Sequence, residues 1–163
     1  MIKVGKSVSM GKGVFCEGQR PIGKIGFTCG AFDLLHTGHV LMLEEAHEQC
    51  DYLVVGVQSD PTLDRPGKNR PVQTYEERLI TVKAIKFVDE VMLYDTEEDL
   101  LHLLEQIKPD VRIIGVDWKD KDFTGHELDC HVYFNSRDHG YSSSSLRRRI
   151  YEAEKLKQQK KPR

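Results

Sequence analysis

The stretch Gly30-Ala31-Phe32-Asp33-Leu34-Leu35-His36-Thr37-Gly38-His39 carries two imidazoles three residues apart, with a glycine between them. Histidines at that spacing can donate hydrogen bonds to one anion, and Gly30 and Gly38 let the backbone turn tightly and approach a ligand. A short apolar segment precedes the stretch and a helical pattern follows it. The pair therefore sits at a strand-to-helix turn, where a helix N-terminus offers N–H groups and a positive dipole to phosphate. His36 and His39 also resemble a zinc ligand pair, with Cys29 close in sequence. That is too few ligands for a structural site, which usually closes with four, so no metal site is expected.

Other residues suit the same chemistry. A serine run, residues 142–145, precedes the final helical pattern. One of these hydroxyls caps the helix, and the others can join its N–H groups in holding a phosphate. Asp117 and Trp118 follow the fourth apolar segment. An acid there can bind ribose hydroxyls, or it is a turn residue; the indole can be a packing residue. Arg78 and Lys86, eight residues apart on one helical pattern, are expected about 80° apart around it. No Ser/His/Asp or Cys/His nucleophile set is legible.

The elements that must position these residues alternate. Residues 24–30, 52–58, 90–94, 111–115 and 131–134 read as strands, the second as a β-branched run covered on both faces. Residues 40–50 have helical spacing. Thr74 with Glu77 three residues on reads as a capping box, and Thr96 before Glu97, Glu98 and Asp99 starts a helix that ends before Pro109. A last helix is expected over residues 146–157. This alternation predicts an α/β fold, a single Rossmann-like doubly wound domain with a parallel sheet of about five strands. Ligands then bind beyond the carboxyl ends of the strands, where strand order reverses. Residues 1–22 read as an N-terminal extension, 23–157 as the domain and 158–163 as a basic tail.

Composition bounds the class. The 163 residues hold 24 Lys and Arg against 26 Asp and Glu, with 39% apolar residues. That fits one soluble domain. No apolar run reaches the roughly 18 residues of a membrane span, and residues 1–13 lack the apolar core of a secretory signal. Cys16, Cys29, Cys50 and Cys130 lie far apart and read as reduced thiols, so a cytoplasmic protein is expected. Residues 146–163 carry eight basic and two acidic side chains, a net of +6, which leaves −8 on the rest. The acidic body and the lack of interleaved aromatics argue against nucleic-acid binding by that tail.

GAFDLLHTGH resembles the GxFDxxHxGH signature of the cytidylyltransferase branch of the nucleotidyltransferase superfamily. The resemblance continues in order through Tyr75-Glu76-Glu77-Arg78, Phe87-Val88-Asp89-Glu90-Val91, Gly115-Val116-Asp117-Trp118 and Arg137-Asp138-His139-Gly140-Tyr141-Ser142-Ser143-Ser144. The last is similar to the branch's RTEGISTT segment. Together these cover residues 24 to about 151, and within the branch the chain resembles the glycerol-3-phosphate cytidylyltransferases.

The resemblance implies a catalytic set of His36, His39, Lys68, Arg78 and Arg137. It implies nucleotide binding by Gly30, Ala31, Phe32, Asp33, Gly38, Asp117, Trp118, Gly140, Tyr141, Ser142, Ser143 and Ser144, and a substrate-side role for Lys86. The reaction implied is transfer of CMP from CTP to a small alkyl phosphate resembling glycerol 3-phosphate, releasing pyrophosphate. Mg²⁺ would accompany the nucleotide, and the chain would form a homodimer. Asp138 and His139 replace a threonine and a glutamate of the pattern, and Val116 replaces an aspartate. Residues 97–101 hold no lysine where that group has its substrate lysine. Two alternatives stay open: an adenylyltransferase of the same fold acting on a sugar phosphate or flavin precursor, and a non-catalytic nucleotide-binding module.

Overall fold

The computed structural model of the chain describes Phe15 and residues 19–159. Strands β1 (Ile25–Gly30), β2 (Tyr52–Gln58), β3 (Glu90–Tyr94), β4 (Val111–Gly115) and β5 (His131–Asn135) form one sheet in the order β3-β2-β1-β4-β5. Every pairing is parallel, with Phe27 opposite Val54 on one side and Arg112 on the other. The chain moves outward from β1 in one direction, then returns to β4 on its other flank. The carboxyl ends of β1 and β4 therefore face an open crevice, the expected ligand position.

Period-two alternation divides the apolar residues between two layers. Leu53, Val55 and Val57 of β2 pack with Leu43 and Ala46 of α1 (Thr37–His47) and Val82 of α2 (Tyr75–Lys83). Val54 turns the other way, joining Ile25, Phe27 and the Leu100, Leu104 and Ile107 stripe of α3 (Glu97–Ile107). Each such side chain, removed from water, contributes roughly 1.5–3 kcal/mol. The sheet is thus covered on both faces, as the unbroken apolar run of β2 requires.

Both threonine starts are capping boxes. Thr74 Oγ1 accepts from Glu77 N at 3.2 Å while Glu77 Oε2 accepts from Thr74 N at 2.7 Å. Thr96 and Asp99 repeat the exchange at 3.2 and 2.9 Å. Each cap stabilises its helix by about 1 kcal/mol.

Four boundaries differ from the expectations. α1 runs from Thr37 to His47 and not over 40–50, because the His36 side chain caps it by accepting from Gly38 N at 3.1 Å. β5 extends to Asn135. α4 (Ser143–Gln159) starts inside the serine run and continues over residues 158 and 159, assigned to the tail. α2 stops at Lys83, with Ala84 as its C-cap. Lys86 has therefore left the helix and does not share a helical face with Arg78. Its Nζ lies 4.6 Å from the Phe87 ring centroid.

Most of the expected extension, residues 1–14 and 16–18 with Cys16 among them, lies outside the described residues, as do residues 160–163 of the tail. Arg20 is tied to the domain through Ile107 O at 2.6 Å and Asp110 Oδ2 at 3.1 Å. Cys29, Cys50 and Cys130 are free thiols. Among the described residues no helix is long and apolar enough to cross a membrane.

Candidate active site

The turn after β1 holds its imidazoles by their own backbone. His36 Nδ1 accepts from Gly38 N at 3.1 Å, and His39 Nδ1 accepts from His36 N at 3.3 Å. A nitrogen that accepts carries no proton, so both rings are the Nε2–H tautomer. The rings are tilted 31° to each other with centroids 4.0 Å apart. Burial, then the neighbouring His36 and Arg137, push the His39 pKa down to about 4. Burial and His139 lower that of His36. Both are therefore neutral hydrogen-bond donors near pH 7. Gly38 is required: a Cβ there would stand 2.7 Å from His139 Cε1 and 3.0 Å from His36 Cε1.

His36 Nε2 spans to Ser143 Oγ at 3.1 Å, joining the first turns of α1 and α4. Ser142 is the cap of α4, since its Oγ accepts from Ser145 N at 3.2 Å and its carbonyl from Leu146 N at 3.0 Å. Two helix N-termini thus converge on one spot, and their dipoles add for an anion. Arg137 stands beside it, its NH1 3.1 Å from Asp117 Oδ1. Gly115 makes room for that pair, because a Cβ would lie 2.5 Å from Asp117 Oδ1 and 2.6 Å from Arg137 Nε. Phe32, Leu34 and Arg137 adopt φ of 51°, 50° and 49°. Left-handed conformations of this kind cost non-glycine residues roughly 1–2 kcal/mol each, and such strain gathers at functional sites.

The loop carrying Arg137 is pinned from behind by Glu45 of α1. That carboxylate accepts from Tyr133 OH at 3.1 Å, Asn135 Nδ2 at 2.8 Å, Ser136 N at 3.0 Å and Ser136 Oγ at 3.2 Å.

These elements bound a cleft of about 850 Å³. One half is lined by Gly30, Ala31, Phe32, His39, Lys68, Asp117, Trp118, Arg137, Ser143 and Arg147. The other half contains Gln58, Arg65, Glu97, Arg112 and Thr124. Arg65 NH2 meets Glu97 Oε1 at 2.7 Å and Gln58 Oε1 at 3.3 Å, and Thr124 Oγ1 donates to Glu97 Oε2. Arg112, buried on β4, donates to Thr124 O at 2.6 Å beneath the Phe123 ring. Sequence reasoning missed this half. Its one signal was polar residues, Gln58 and Arg112, inside otherwise apolar strands.

Several expected site residues have other work. Asp33 lines the cleft, but its Oδ1 accepts from Val72 N and Gln73 N, both at 2.9 Å, and its Oδ2 holds Arg147 at 2.5 Å. Its carboxylate braces the site. Arg78 is 2% exposed and donates to Ala31 O at 2.7 Å, Gln58 O at 2.6 Å and Ser59 O at 2.5 Å. Its guanidinium clamps the ends of β1 and β2. His36, Gly38, Gly140, Tyr141, Ser142 and Ser144 lie outside the cleft lining, His36 reaching it only through Ser143, and Tyr141 is 53% exposed. Lys86 is also outside it. Arg147 faces the cleft, where the sequence allows any of Arg147, Arg148 and Arg149 a phosphate contact and distinguishes none of them.

Comparison with known proteins places residues 27–149 in a match to the family described as Cytidylyltransferase-like. The "Bifunctional protein HldE" of Campylobacter concisus (strain 13826) is 38% identical over 131 residues, 80% of this chain and 28% of that protein. The protein of the same name from Bradyrhizobium sp. (strain ORS 278) is 42% identical over 106 residues, 64% of this chain and 21% of that protein. The chain thus spans less than a third of the length of these relatives. Among solved structures, the lipopolysaccharide core biosynthesis protein of Thermoplasma volcanium GSS1 is similar, with TM-score 0.59 and 28% identity. The match covers 70% of this chain and 97% of that one.

Proposed function

We propose a reaction from an established premise: the chain belongs to the cytidylyltransferase-like family. It is a nucleotidyltransferase. The acceptor we assign is a sugar phosphate and the donor ATP, in place of an alkyl phosphate and CTP. The relatives support this choice of acceptor, since one similar structure is named for lipopolysaccharide core biosynthesis. Such a core is built of sugars, and sugars are activated for transfer by joining their phosphates to nucleotides. The absence of a lysine from residues 97–101 agrees, because the alkyl-phosphate reading leaned on a cation there.

One observation carries the reading: a single cleft has an anion-binding half and a half rich in hydroxyl-binding groups. His39, Lys68, Arg137 and the two helix N-termini suit a triphosphate. Glu97 and Thr124 on the other side, held by Arg65 and Arg112, are the oxygen groups we assign to a polyhydroxylated acceptor. A phosphate oxygen of the acceptor forms a bond to the α-phosphorus, the bond to the β-phosphate oxygen breaks, and pyrophosphate leaves. The nucleophile needs no general base, since a phosphate monoester has its second pKa at about 6. Catalysis consists of in-line positioning and donation to the α-phosphate oxygens by neutral His39, with His36 beside it. Mg²⁺ enters with the triphosphate as part of the substrate.

The experiment is a matrix of ATP, CTP, GTP and UTP against sugar phosphates, glycerol 3-phosphate and a flavin mononucleotide, reading pyrophosphate and product mass. ATP with a sugar phosphate should give the highest kcat/KM. CTP with glycerol 3-phosphate turning over faster would overturn the assignment. The pocket must discriminate by unpaired polar groups, so the preferred base should stand out clearly.

A further inference from the structure

We propose that the acceptor carries a carboxylate besides its reacting phosphate, and that Arg112 selects for it. This deepens the sugar-phosphate reading above and rests on it. Four described arginines line the cleft: Arg65, Arg112, Arg137 and Arg147. Three of them meet a carboxylate, Arg65 with Glu97 at 2.7 Å, Arg137 with Asp117 at 3.1 Å and Arg147 with Asp33 at 2.5 Å. Arg112 is the most buried of the four, at 2% exposed, and makes no ion pair among the described residues.

Arg112 stands on β4 opposite Phe27, its guanidinium 5.7 Å from the Phe27 ring centroid and 5.6 Å from that of Phe123. Nη1 donates to Thr124 O at 2.6 Å, Nε is buried with no partner, and Nη2 donates to no described group. The Cys130 thiol that feels its charge stays neutral, because burial raises its pKa. A guanidinium cannot shed its proton, and a buried charge is ordinarily paired. One neutral carbonyl is a poor substitute for that pairing, so the missing anion must come from the cleft that Arg112 lines.

The charges in this half choose the anion. Glu97 already balances Arg65 and accepts from Thr124 Oγ1, one residue's width from the Arg112 contact. A carboxylate brings the single negative charge that Arg112 lacks, and its two oxygens match the guanidinium fork. A phosphate dianion would overshoot and face Glu97 in a spot walled by two aromatic rings, where screening is weak. Arg112 and Gly115, which makes room for the Arg137–Asp117 pair, are three residues apart on β4. That is roughly 10 Å along a strand, the scale of one monosaccharide with its substituents.

The test compares kcat/KM of the full chain, with the best nucleotide of the matrix, for glucuronic acid 1-phosphate, glucose 1-phosphate and glucose 1,6-bisphosphate. The first two differ only in carrying a carboxylate or a hydroxymethyl group. The parent should prefer the acid by at least about tenfold, through KM, as expected of hydrogen bonds between charged groups. Arg112→Gln, which keeps a donor for Thr124 O but no charge, should bring the ratio within about threefold of one; Arg112→Lys should hold it above that. The ratio is the readout, because a loosened Thr124 slows both sugars and cancels. A parent without the preference, or a preference that survives in Arg112→Gln, reduces Arg112 to a clamp on the loop and leaves the transfer reaction standing. Faster turnover of the bisphosphate than of the acid overturns the carboxylate. A parent inactive on all three overturns this proposal, and one inactive on every sugar phosphate sinks the acceptor assignment as well. Melting temperatures establish folding, and Arg112→Met, which fills the apolar space beside the rings, replaces Gln if Gln is unfolded.

Discussion

Asp33 and Arg147, 114 residues apart in the chain, meet at 2.5 Å and bind the turn after the first strand to the last helix. The same carboxylate holds Val72 N and Gln73 N, so three separate segments converge on one side chain. Asp33 is 9% exposed as a side chain and Arg147 28%. Asp33→Ala leaves two backbone donors without partners and a partly buried cation with only Arg70 O to hold it. Removing one partner of a buried pair costs about 3–5 kcal/mol; the part exposure of Arg147 places the expected loss near the lower end, about 3 kcal/mol. A urea midpoint measures it, and Arg147→Ala should lose less, because it leaves a carboxylate still held by two N–H groups.

His36→Ala and His39→Ala should each reduce kcat by more than about a hundredfold, the usual effect of removing a donor aimed at developing charge. Nucleotide binding should weaken only modestly. His36→Ala should also destabilise the chain, since it removes the cap of α1 and the link to Ser143. Near-parental turnover in both variants would make the turn structural.

The depressed pKa of His39 gives the pH dependence its sign. Its ordinary value of 6.5 falls to about 4 on folding. Below 6.5 the unfolded chain takes up a proton that the folded chain refuses, so stability declines as pH falls from 6.5 towards 4. Above 6.5 the group contributes no slope. Thermal melts at pH 7, 5.5 and 4.5 should fall in that order, with a smaller drop in His39→Gln. Turnover, by contrast, should lose its acid limb near pH 6, where the acceptor phosphate protonates.

Arg78→Met should lower stability and leave three carbonyls at the strand ends without their donor. Its effect on nucleotide KM should be small compared with its effect on the melting temperature. A pure KM increase in a fully stable variant would return Arg78 to the substrate side.

Gly115→Ala should separate Arg137 from Asp117, because its Cβ falls 2.5–2.8 Å from atoms of both. Nucleotide KM should rise about tenfold, the equivalent of one charge-assisted hydrogen bond, with little change in the melting temperature. Melting and steady-state kinetics on the same preparation check both halves.

The strands were legible because β-branched runs such as 52–58 tolerate few other readings, and Thr74 and Thr96 announced their helices by side-chain type. The start of α1 was misplaced by three residues because histidine is not a usual cap. Lys86 was misassigned because no glycine or proline marks the end of α2 at Lys83. His36 and His39 could be read from their spacing, Arg137 only through the resemblance of residues 137–144 to the branch's pattern. The importance of Asp33 and Arg78 was legible, but their roles were not: a sequence displays a carboxylate or guanidinium, not the backbone groups that will surround it. Arg65, Glu97, Arg112 and Thr124 could not be found, since strand register and the fold of the 119–130 loop bring them together.

Helix α4 has no buried residue along its 17 positions. Its attachment rests on Ser143 and Arg147, near its first turn, and not on an apolar seam. Amide protons along α4 should therefore exchange with solvent through local opening, well before those of β2, whose exchange awaits global unfolding. A triphosphate bridging the α1 and α4 starts would suppress that opening in proportion to ligand concentration over its dissociation constant. Deuterium uptake in α4, followed against added nucleotide, then becomes a binding gauge that needs neither turnover nor a known acceptor.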